Sequence, residues 1–448
     1  MAPRKGSRDV TTYARRLGLF SGSMAVIGGI IGGGIFRTPA AVAGRLESPG
    51  LMLAAWVVGG VVALIGALCF GELGQRRPKA GGGYVYLRET WGPLPAFLYG
   101  WALLLVIASG AIAAVAVTFA DYALALTGMP ARFTVPLALG AIVLLTGINY
   151  RGVRLGAITQ NVFTVLKLGA LAALIVAGLA AVLPGSATAG AEARPDTTNP
   201  VLAFGAALVP ILFTYGGWQQ TNFIAEELVE PERNLPRALL IGVLVVVAVY
   251  LLANLAYLRV LGAQGLASST APAADTMRAV LGPVGGTVIA AGIAISSFGF
   301  LNLVILVTPR VFQAMAADGL FFSRLAELHP VYRTPGAALV LLAGWAGVLT
   351  LTGTFAQLVD YVAFGDWIFF GLTVAGLYIY RARDPSREAG AFRVPGYPWT
   401  PAVFVAAAAL VVVSSVLADP LNAAIGAGLL ALGVPVYGYW RRRHGAIG

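Results

Sequence analysis

Apolar stretches long enough to cross a membrane recur along the whole chain. A membrane helix needs about 20 mostly apolar residues, and charged residues fill only 11% of the 448 positions, against roughly 25% in a soluble domain. The linkers are too short to hold a soluble catalytic domain. The pattern predicts an all-α polytopic membrane protein of about twelve helices, at residues 17–44, 50–74, 95–127, 133–150, 155–183, 200–228, 236–262, 285–316, 336–353, 355–381, 399–418 and 420–440.

Basic residues are distributed unevenly between the two sides of this predicted bundle. Of the 30 lysines and arginines, 23 fall in the N-terminal segment, the loops after even-numbered helices and the C-terminal segment. Cytoplasmic loops carry an excess of basic residues. We therefore expect a multi-pass protein of the cell membrane with two cytoplasmic termini, an arm at residues 1–16 and a tail at residues 441–448. The five basic residues predicted on the other side are Arg45, Arg132, Arg194, Arg259 and Arg278.

The composition leaves little room for metal, disulfide or nucleic-acid chemistry. The single cysteine, Cys69, excludes an internal disulfide, and the two histidines, His329 and His444, are too few for a His/Cys metal cluster. Basic residues at the membrane edge explain the net charge of +11, so we expect the lipid bilayer and not a nucleic acid as a partner. The chain also has no Gly-x-x-x-x-Gly-Lys-Ser/Thr phosphate loop. We predict no cofactor and no metal.

Two of the predicted helices contain glycine runs that should interrupt them. The first carries "GGIIGGGIF" at residues 28–36, and the sixth carries "VPILFTYGGW" at residues 209–218. A glycine inside a helix costs about 1 kcal/mol relative to alanine, although membrane glycines also serve close packing. We predict breaks at Gly32–Gly34 and Tyr215–Gly217. Interrupted helices in matching positions of two halves indicate an inverted-repeat transporter whose site lies at the breaks.

Unwound backbone at these breaks would suit a zwitterionic ligand. Free N–H and C=O groups are tolerated inside a membrane only where they face a cavity or a ligand. The N–H groups at the start of a half-helix attract a carboxylate, and free carbonyl groups accept hydrogen bonds from an ammonium group.

Longer motifs surround and follow the two breaks. They are "IIGGGIF" in helix 1, "GALCFGELGQRRPKAGGGYVYL" in and after helix 2, "FTYGGWQQTNFIAEELVEPERNLPRA" in and after helix 6, "DWIFFGLTVAG" in helix 10 and "FRVPGYP" in the next loop. These motifs resemble those of the amino acid–polyamine–organocation superfamily, and most closely those of its L-type amino-acid transporter branch. The matching motifs lie in helices 1 to 10 and the loop after them, whereas the last two helices match the family only by their position in the chain.

The resemblance implies a LeuT-like fold, in which two five-helix repeats are inverted relative to one another and helices 1 and 6 are discontinuous. The repeats would be residues 17–183 and 200–381, followed by two further helices at residues 399–440. An L-amino acid would bind between helices 1 and 6.

The resemblance also implies which residues hold this substrate. The carbonyl group of Ile30 and the N–H groups of Gly33 and Gly34 would hold its amino and carboxylate ends. Phe213 would form an aromatic gate, and Gly216 would supply a further carbonyl group. Gly33 replaces a serine of the family pattern, which removes a hydroxyl group but keeps the backbone donor.

A lysine in the fifth predicted helix is implied to occupy a sodium site. Lys167 lies mid-span, where a lysine costs about 2.5–3.5 kcal/mol. In sodium-independent relatives, a lysine of helix 5 fills the sodium site of related transporters and reaches the unwound part of helix 1. Lys167 matches that position, so we expect its ammonium group to bond the carbonyls near Ile27 and Gly28. The alternative is a lysine that pairs with backbone carbonyls for packing alone.

Three further residues are candidates for gating or coupling. Asp366 is a second mid-span charge, at a position where the L-type light chains often have an uncharged residue. It could bind protons or a cationic side chain, or serve only as a hydrogen-bonding group in the helix bundle. Trp218 and Asn222 follow the second break, and we expect them to pack and to line the gate without binding substrate directly.

The sequence also indicates whether a disulfide could link this chain to a partner protein. The eukaryotic light chains join a partner glycoprotein through a disulfide from the loop after helix 3. The corresponding loop here, "TGMPARF", has no cysteine. We therefore expect no disulfide-linked heavy chain, and the sequence looks like that of a stand-alone prokaryotic-type member.

The expected function is sodium-independent secondary transport of L-amino acids, neutral ones in particular, by alternating access. Exchange, facilitated diffusion and proton-linked transport stay open. The alternative within transport is a proton-coupled carrier of cationic amino acids or polyamines. The mid-span charge of Asp366 is the observation that suggests it. Two remote alternatives are a membrane-embedded enzyme, for which no acid/base or metal set is visible, and a transporter-derived sensor, for which a soluble domain is missing.

Overall fold

The computed structural model describes residues 13–46, 48–181, 200–353, 355–384 and 391–445, without the side chains of residues 200, 355–364 and 444–445. Most of the predicted arm at residues 1–16, the linker after the fifth helix with its Arg194, and the end of the tail at residues 441–448 lie outside this part of the chain. The His444 side chain also lies outside it.

The described residues form eighteen α-helices, which we number α1 to α18. Their bounds are Leu19–Ile30, Thr38–Ala43, Pro49–Arg76, Gly83–Trp91, Pro93–Ala102, Ala108–Thr127, Thr134–Tyr150, Val153–Ala180, Pro200–Thr214, Pro231–Ser268, Pro272–Leu281, Pro283–Val307, Pro309–Ala317, Gly336–Thr352, Phe355–Arg383, Trp399–Ala418, Pro420–Ala431 and Gly433–Gly445. One turn of π-helix, Leu103–Ile107, joins α5 to α6. The short helices α4 and α11 lie between predicted spans, and the hydropathy pattern missed both.

The predicted membrane helices coincide with apolar helices of the structure. Two shorter apolar helices, α1 and α14, and the long helix α15 fall on the first, ninth and tenth predicted spans. The all-α polytopic fold is confirmed, whereas the count of twelve spans and the bounds of the two repeats stay predictions. Within the described residues, nine helical stretches are long and apolar enough to cross a membrane: Pro49–Arg76, Pro93–Thr127, Ala131–Tyr150, Val153–Ala180, Val201–Glu227, Pro231–Ser268, Pro283–Ala317, Trp399–Ala418 and Pro420–Arg443.

Both predicted helix breaks are present. After α1, the chain is extended at Ile31 and forms a 3₁₀ turn at Gly34–Phe36 before α2 begins. We call residues 28–34, which comprise the end of α1, the unwound residues and the first residue of the 3₁₀ turn, the first break. After α9, Tyr215–Gly217 form a turn, which we call the second break, and a 3₁₀ helix follows at Trp218–Glu227. Unwinding thus begins at Ile31, one residue earlier than the glycine pattern predicts.

The helix that contains the first break is packed in the centre of the molecule. It contacts α8, α10 and α12 as well as the 3₁₀ helix after the second break. Glycines allow the closest of these contacts, since a Cβ atom at Gly242 of α10 would lie 2.5 Å from the Val26 side chain. The first break is therefore held from several sides by long helices.

Candidate substrate site

The two breaks touch one another through their backbones. A Cβ atom on Gly29 would lie 2.8 Å from the carbonyl oxygen of Gly217, and one on Gly217 would lie 2.1 Å from the carbonyl oxygen of Gly29. Gly217 also has a positive φ of 110°, which side chains other than glycine rarely adopt. Only glycine fits both positions, and the sequence analysis assigned neither of them a role at the site.

Three consecutive backbone donors at the first break have no partner among the described residues. The N–H groups of Gly32, Gly33 and Gly34 donate no hydrogen bond there, whereas the carbonyl groups of Gly33 and Gly34 accept from Phe36 and Arg37 at 3.2 and 3.0 Å. Gly33 is exposed, and a Cβ atom on it would have no heavy atom within 4 Å. Adjacent free donors beside open space can bind an anion, and Gly33 and Gly34 were the predicted carboxylate ligands.

A tyrosine that the sequence analysis missed links the two breaks. The Tyr250 hydroxyl group lies 3.0 Å from the carbonyl oxygen of Ile30 and 3.4 Å from that of Thr214. Its ring is fully buried against Trp56 and Tyr215. A carbonyl oxygen has two lone pairs, so Ile30 can still accept a second donor. A single tyrosine in an apolar helix belongs to no motif, which is why the sequence did not reveal it.

The other predicted substrate residues lie at the second break. The Phe213 side chain is 37% exposed, and its ring packs edge-on against Trp367 with the centroids 6.1 Å apart. Gly216 donates its N–H group to the carbonyl oxygen of Phe213 at 3.1 Å. The hydroxyl groups of Thr38 and Thr214 are 2.7 Å apart, which links the start of α2, after the first break, to the end of α9, before the second.

The ammonium group of Lys167 binds the backbone at the first break. Its Nζ atom donates to the carbonyl oxygens of Gly28 at 3.1 Å and Ile31 at 2.8 Å, and the side chain is buried. Ser296 of α12 lies 3.5 Å from the same oxygen of Ile31. The expected contact with Gly28 is present. The expected contact near Ile27 is wrong, because the second bond of Lys167 goes to Ile31, while the Ile27 carbonyl accepts the N–H group of Ile31 at 2.9 Å within the helix pattern.

A chain of buried side chains extends from this lysine contact along α8. Asn149 donates to Asn302 at 3.0 Å, and Asn302 donates to Gln160 at 3.0 Å. Gln160 donates to Thr164 at 3.1 Å, and Thr164 donates to the carbonyl oxygen of Met24 at 3.2 Å. This polar chain connects α7, α8 and α12 to α1. It was not predicted, because its members are far apart in sequence.

Trp218, Asn222 and Asp366, the three remaining predicted residues, make no side-chain hydrogen bond with the free donors in the described part of the chain. Trp218 is buried, and its ring is 5.0 Å from that of Phe70. Asn222 is also buried and accepts the hydroxyl group of Tyr86 at 3.1 Å. Asp366 is half-buried in α15, interacts electrostatically with Tyr99, and makes no ion pair or side-chain hydrogen bond with any described residue. Their roles in gating or coupling stay predictions.

A buried ion pair closes one end of the site. Arg310 of α13 and Glu227 are both fully buried, with Nε and Oε1 2.7 Å apart. The Tyr13 ring covers the guanidinium group at 5.8 Å. The N–H groups of Arg16 and Leu17 donate to the carbonyl oxygen of Glu227 at 2.9 and 3.0 Å. We call this end of the bundle the N-terminal face.

Helix α4 and the turn before it add further contacts on the N-terminal face. Gly81 donates its N–H group to the carbonyl oxygen of Phe223 at 3.0 Å. Tyr84 donates to Asp318 at 2.8 Å, and Arg88 pairs with the same carboxylate. Burial, and then the Asp318 charge, raise the pKa of Tyr84, so its hydroxyl group remains a donor at neutral pH. The site is thus closed at this face, while Gly33 is accessible.

The sequence of residues 17–436 matches the profile of a family described as amino acid permease. The chain belongs to the amino acid permease family. This membership, together with the two broken helices, confirms the expected superfamily and a LeuT-like fold, and it makes the chain a transporter and not an enzyme.

Curated relatives of the permease belong to the predicted L-type branch. The b(0,+)-type amino acid transporter 1 of Mus musculus is 33% identical over 414 residues, which are 92% of this chain and 84% of that protein. The mouse Asc-type amino acid transporter 1 is 33% identical over 442 residues, 96% and 82% of the two chains. The mouse large neutral amino acids transporter small subunit 2 is 34% identical over 444 residues, which are 96% of this chain and 82% of that protein.

The backbone contact between the two breaks predicts that alanine is not tolerated there. Gly29→Ala places a methyl group 2.8 Å from the carbonyl oxygen of Gly217, and overpacking of this kind costs about 1–3 kcal/mol. We expect uptake of a labelled amino acid into proteoliposomes to fall by about tenfold or more. The control is Gly169→Ala in α8, where the new methyl group meets no atom within 4 Å. Equal uptake by both variants would contradict the prediction.

Proposed function

We propose that this permease is a sodium-independent secondary transporter of neutral L-amino acids that works by alternating access. The observation that carries the proposal is the row of free N–H groups at Gly32, Gly33 and Gly34, beside open space and next to the second break. Such groups are costly inside a membrane unless a ligand binds them. A substrate carboxylate satisfies them, and charge-assisted hydrogen bonds of this kind contribute about 1.5–3 kcal/mol each.

In the proposed complex, the backbone holds both charged ends of the substrate. The carboxylate accepts from Gly33 and Gly34, with Gly32 as a third donor. The amino group donates to the carbonyl oxygens of Ile30 and Gly216. Tyr250 already occupies one side of the Ile30 oxygen, so it fixes the direction from which the amino group approaches. Because these ligands are backbone atoms, the contacts to the zwitterion do not depend on the substrate side chain.

Phe213 is the proposed gate on the accessible side of this site. Its ring is partly exposed and rests against Trp367 of α15. A rotation of the Phe213 side chain would uncover or cover the free donors without disturbing the backbone contact at Gly217. The closed N-terminal face then represents the opposite gate, with the ion pair between Glu227 and Arg310 as its buried element.

The ammonium group of Lys167 is the proposed reason for sodium independence. It bonds two carbonyl oxygens at the first break, and carbonyl oxygens are the ligands that a sodium ion would use. Two unit charges 4 Å apart repel by about 4 kcal/mol at an effective dielectric constant near 20, which is roughly a thousandfold in occupancy. A sodium ion therefore does not bind beside the charged lysine.

The proposed setting is the cell membrane, with both termini in the cytoplasm. The basic residues of the sequence favour this orientation, and it makes the N-terminal face the cytoplasmic one. The names of the relatives describe amino acid transporters, one of them for large neutral amino acids, which supports the substrate class. No disulfide-linked partner is proposed, because the single cysteine, Cys69, is buried in α3.

The substrate assignment predicts that the free carboxylate is essential. Leucine should compete with the uptake of labelled leucine into proteoliposomes, whereas leucinamide should not, because an amide offers no negative charge to the donors of Gly33 and Gly34. The control is a leucine analogue with a changed side chain and both charged ends intact, which should still compete. Inhibition by leucinamide or by a polyamine as strong as that by leucine would refute the assignment.

The role of Lys167 predicts transport without sodium. Uptake by the parent protein should be unchanged when choline replaces sodium on both sides of the liposome membrane. Lys167→Ala should reduce uptake about tenfold or more, because two buried hydrogen bonds to the first break are lost. The exposed Lys79→Ala variant is the matched control and should behave as the parent does. A collapse of parent uptake in choline would show that Lys167 does not replace sodium.

One observation favours the second candidate function, the proton-coupled transport of cationic amino acids or polyamines. Asp366 is a carboxylate in a membrane helix with no ion-pair partner among the described residues. Intramembrane carboxylates normally pair with a cation or bind a proton as part of a mechanism. A cationic substrate side chain would give the Asp366 carboxylate an ion-pair partner, and a bound proton would neutralise its charge.

The two candidate functions predict different results for Asp366→Asn. If the carboxylate binds a cationic side chain, the variant should lose most arginine uptake and keep leucine uptake, because only arginine loses a charge partner. If neutral amino acids are the substrates, the parent should transport leucine well and arginine poorly. Asp121→Asn, an exposed change far along α6, is the control. An equal loss of both uptakes in Asp366→Asn would indicate a structural role.

A further inference from the structure

A cavity lies at the N-terminal face, away from the substrate site. Its volume is about 400 Å³, and its lining contains three arginines, two carboxylates and one tyrosine: Arg76, Arg77, Arg383, Glu89, Asp384 and Tyr380. Arg76 is the last residue of α3, and Arg383 is the last residue of α15. Helix α3 is long and apolar enough to cross a membrane and ends in Glu72, Gln75 and Arg76, and α15 ends in Arg381 and Arg383, so we place the cavity where the membrane interior meets the headgroups.

The side chain of Arg76 is anchored so that one end of its guanidinium group points into the cavity. Its Nε and Nη2 atoms donate to Glu72 at 3.1 and 2.8 Å. Glu72 is fully buried and is also held by Arg381 and by the N–H group of Val394. The side chain of Arg76 is only 5% exposed, yet its Nη1 atom makes no hydrogen bond with a described residue and lies 3.9 Å from Asp384.

The other two arginines of the cavity are also fixed at one end. Arg77 donates through Nε to Glu89 and through Nη1 to the carbonyl oxygen of Arg76, at 2.6 and 3.0 Å. Arg383 donates through Nη1 to the carbonyl oxygen of Glu89 at 2.6 Å. In both cases Nη2 donates to no described residue. Glu89 is already satisfied, because it also accepts the hydroxyl group of Tyr380 at 3.0 Å.

We propose that this cavity binds a terminal phosphate group, either the phosphate monoester of an anionic lipid headgroup or soluble inorganic phosphate. Guanidinium groups match the geometry of phosphate oxygens, and basic pockets between membrane helices on the cytoplasmic side bind phosphorylated headgroups. The phosphate oxygens would accept from the unused Nη atoms of Arg76, Arg77 and Arg383. The cavity is cytoplasmic if the proposed orientation holds, but the binding itself does not depend on that orientation or on the transported substrate.

Three arginines against two carboxylates leave the lining with one net positive charge, which attracts a doubly charged anion more strongly than a singly charged one; two features oppose anion binding. The C-terminal ends of α3 and α15 carry partial negative charge, and the Asp384 carboxylate competes for Arg76. A phosphate monoester carries a charge of about −1.5 to −2 at neutral pH, whereas a phosphodiester carries one. Asp384 is therefore the residue that opposes binding, and Arg383 is one that supports it.

Thermal unfolding of the purified protein in nanodiscs tests the proposal. Phosphatidic acid added to phosphatidylcholine discs should raise the unfolding temperature more than phosphatidylglycerol does. Inorganic phosphate added to pure phosphatidylcholine discs distinguishes the soluble source. A rise with the lipid alone assigns the site to a headgroup, a rise with inorganic phosphate assigns it to soluble phosphate, and the absence of a rise in both overturns the proposal.

Two variants with opposite expected effects distinguish a change in phosphatidic acid binding from a general loss of folding. Arg383→Gln should weaken the apparent affinity for phosphatidic acid roughly tenfold, since one charged donor is lost. Asp384→Asn should strengthen it, since a competing carboxylate is removed. The control is Arg233→Gln, an exposed arginine near Glu230, which should leave the affinity unchanged. If Arg383→Gln binds phosphatidic acid as tightly as the parent, or if Asp384→Asn weakens binding, the cavity is not the site.

Discussion

The contact between Gly29 and Gly217 sets the position of everything else at the candidate site. At these two glycines, the carbonyl group of each chain segment lies where a side chain of the other would be. The first and second breaks therefore face one another at a distance that no other residue type permits. The free donors of Gly32, Gly33 and Gly34 follow directly from this arrangement, because a helix that continued past Ile30 would have used them internally.

Unwinding a helix inside a membrane is costly, and the structure shows how most of that cost is offset. The carbonyl oxygens exposed at the first break are satisfied by Lys167 of α8 and Tyr250 of α10. The N–H groups of Gly32, Gly33 and Gly34 have no such partners among the described residues. The carbonyl groups belong to buried residues and are paired, as buried polar groups nearly always are, whereas the unpaired N–H groups lie around the exposed Gly33, as the proposed ligand site requires.

The local features of the site could be predicted from the sequence, whereas its long-range contacts could not. Glycine runs lower helix stability wherever they occur, so the breaks near Gly32 and Gly216 followed from the pattern alone. The lysine contact at Gly28 followed from the family resemblance. Tyr250 and Asn302 act through contacts that span more than a hundred residues of chain, and neither lies in a recognisable motif. The error at Ile27 arose because the exact end of a helix depends on which carbonyl groups other helices take.

The closed N-terminal face shows which parts of the site are connected. Leu17 is bonded to Glu227 and Val229, and Gly29 is packed on Gly217, so α1 is fixed to the chain after the second break at both of its ends. These segments should move as one unit when the face opens. In the proposed alternating access, opening this face would separate Glu227 from Arg310, and a buried ion left without its partner costs about 3–5 kcal/mol. Water that enters the opening gate would hydrate both ions and reduce that cost. The links that must adjust are therefore those between α1 and the surrounding helices, among them the bonds of Lys167, Thr164 and Tyr250 to its backbone.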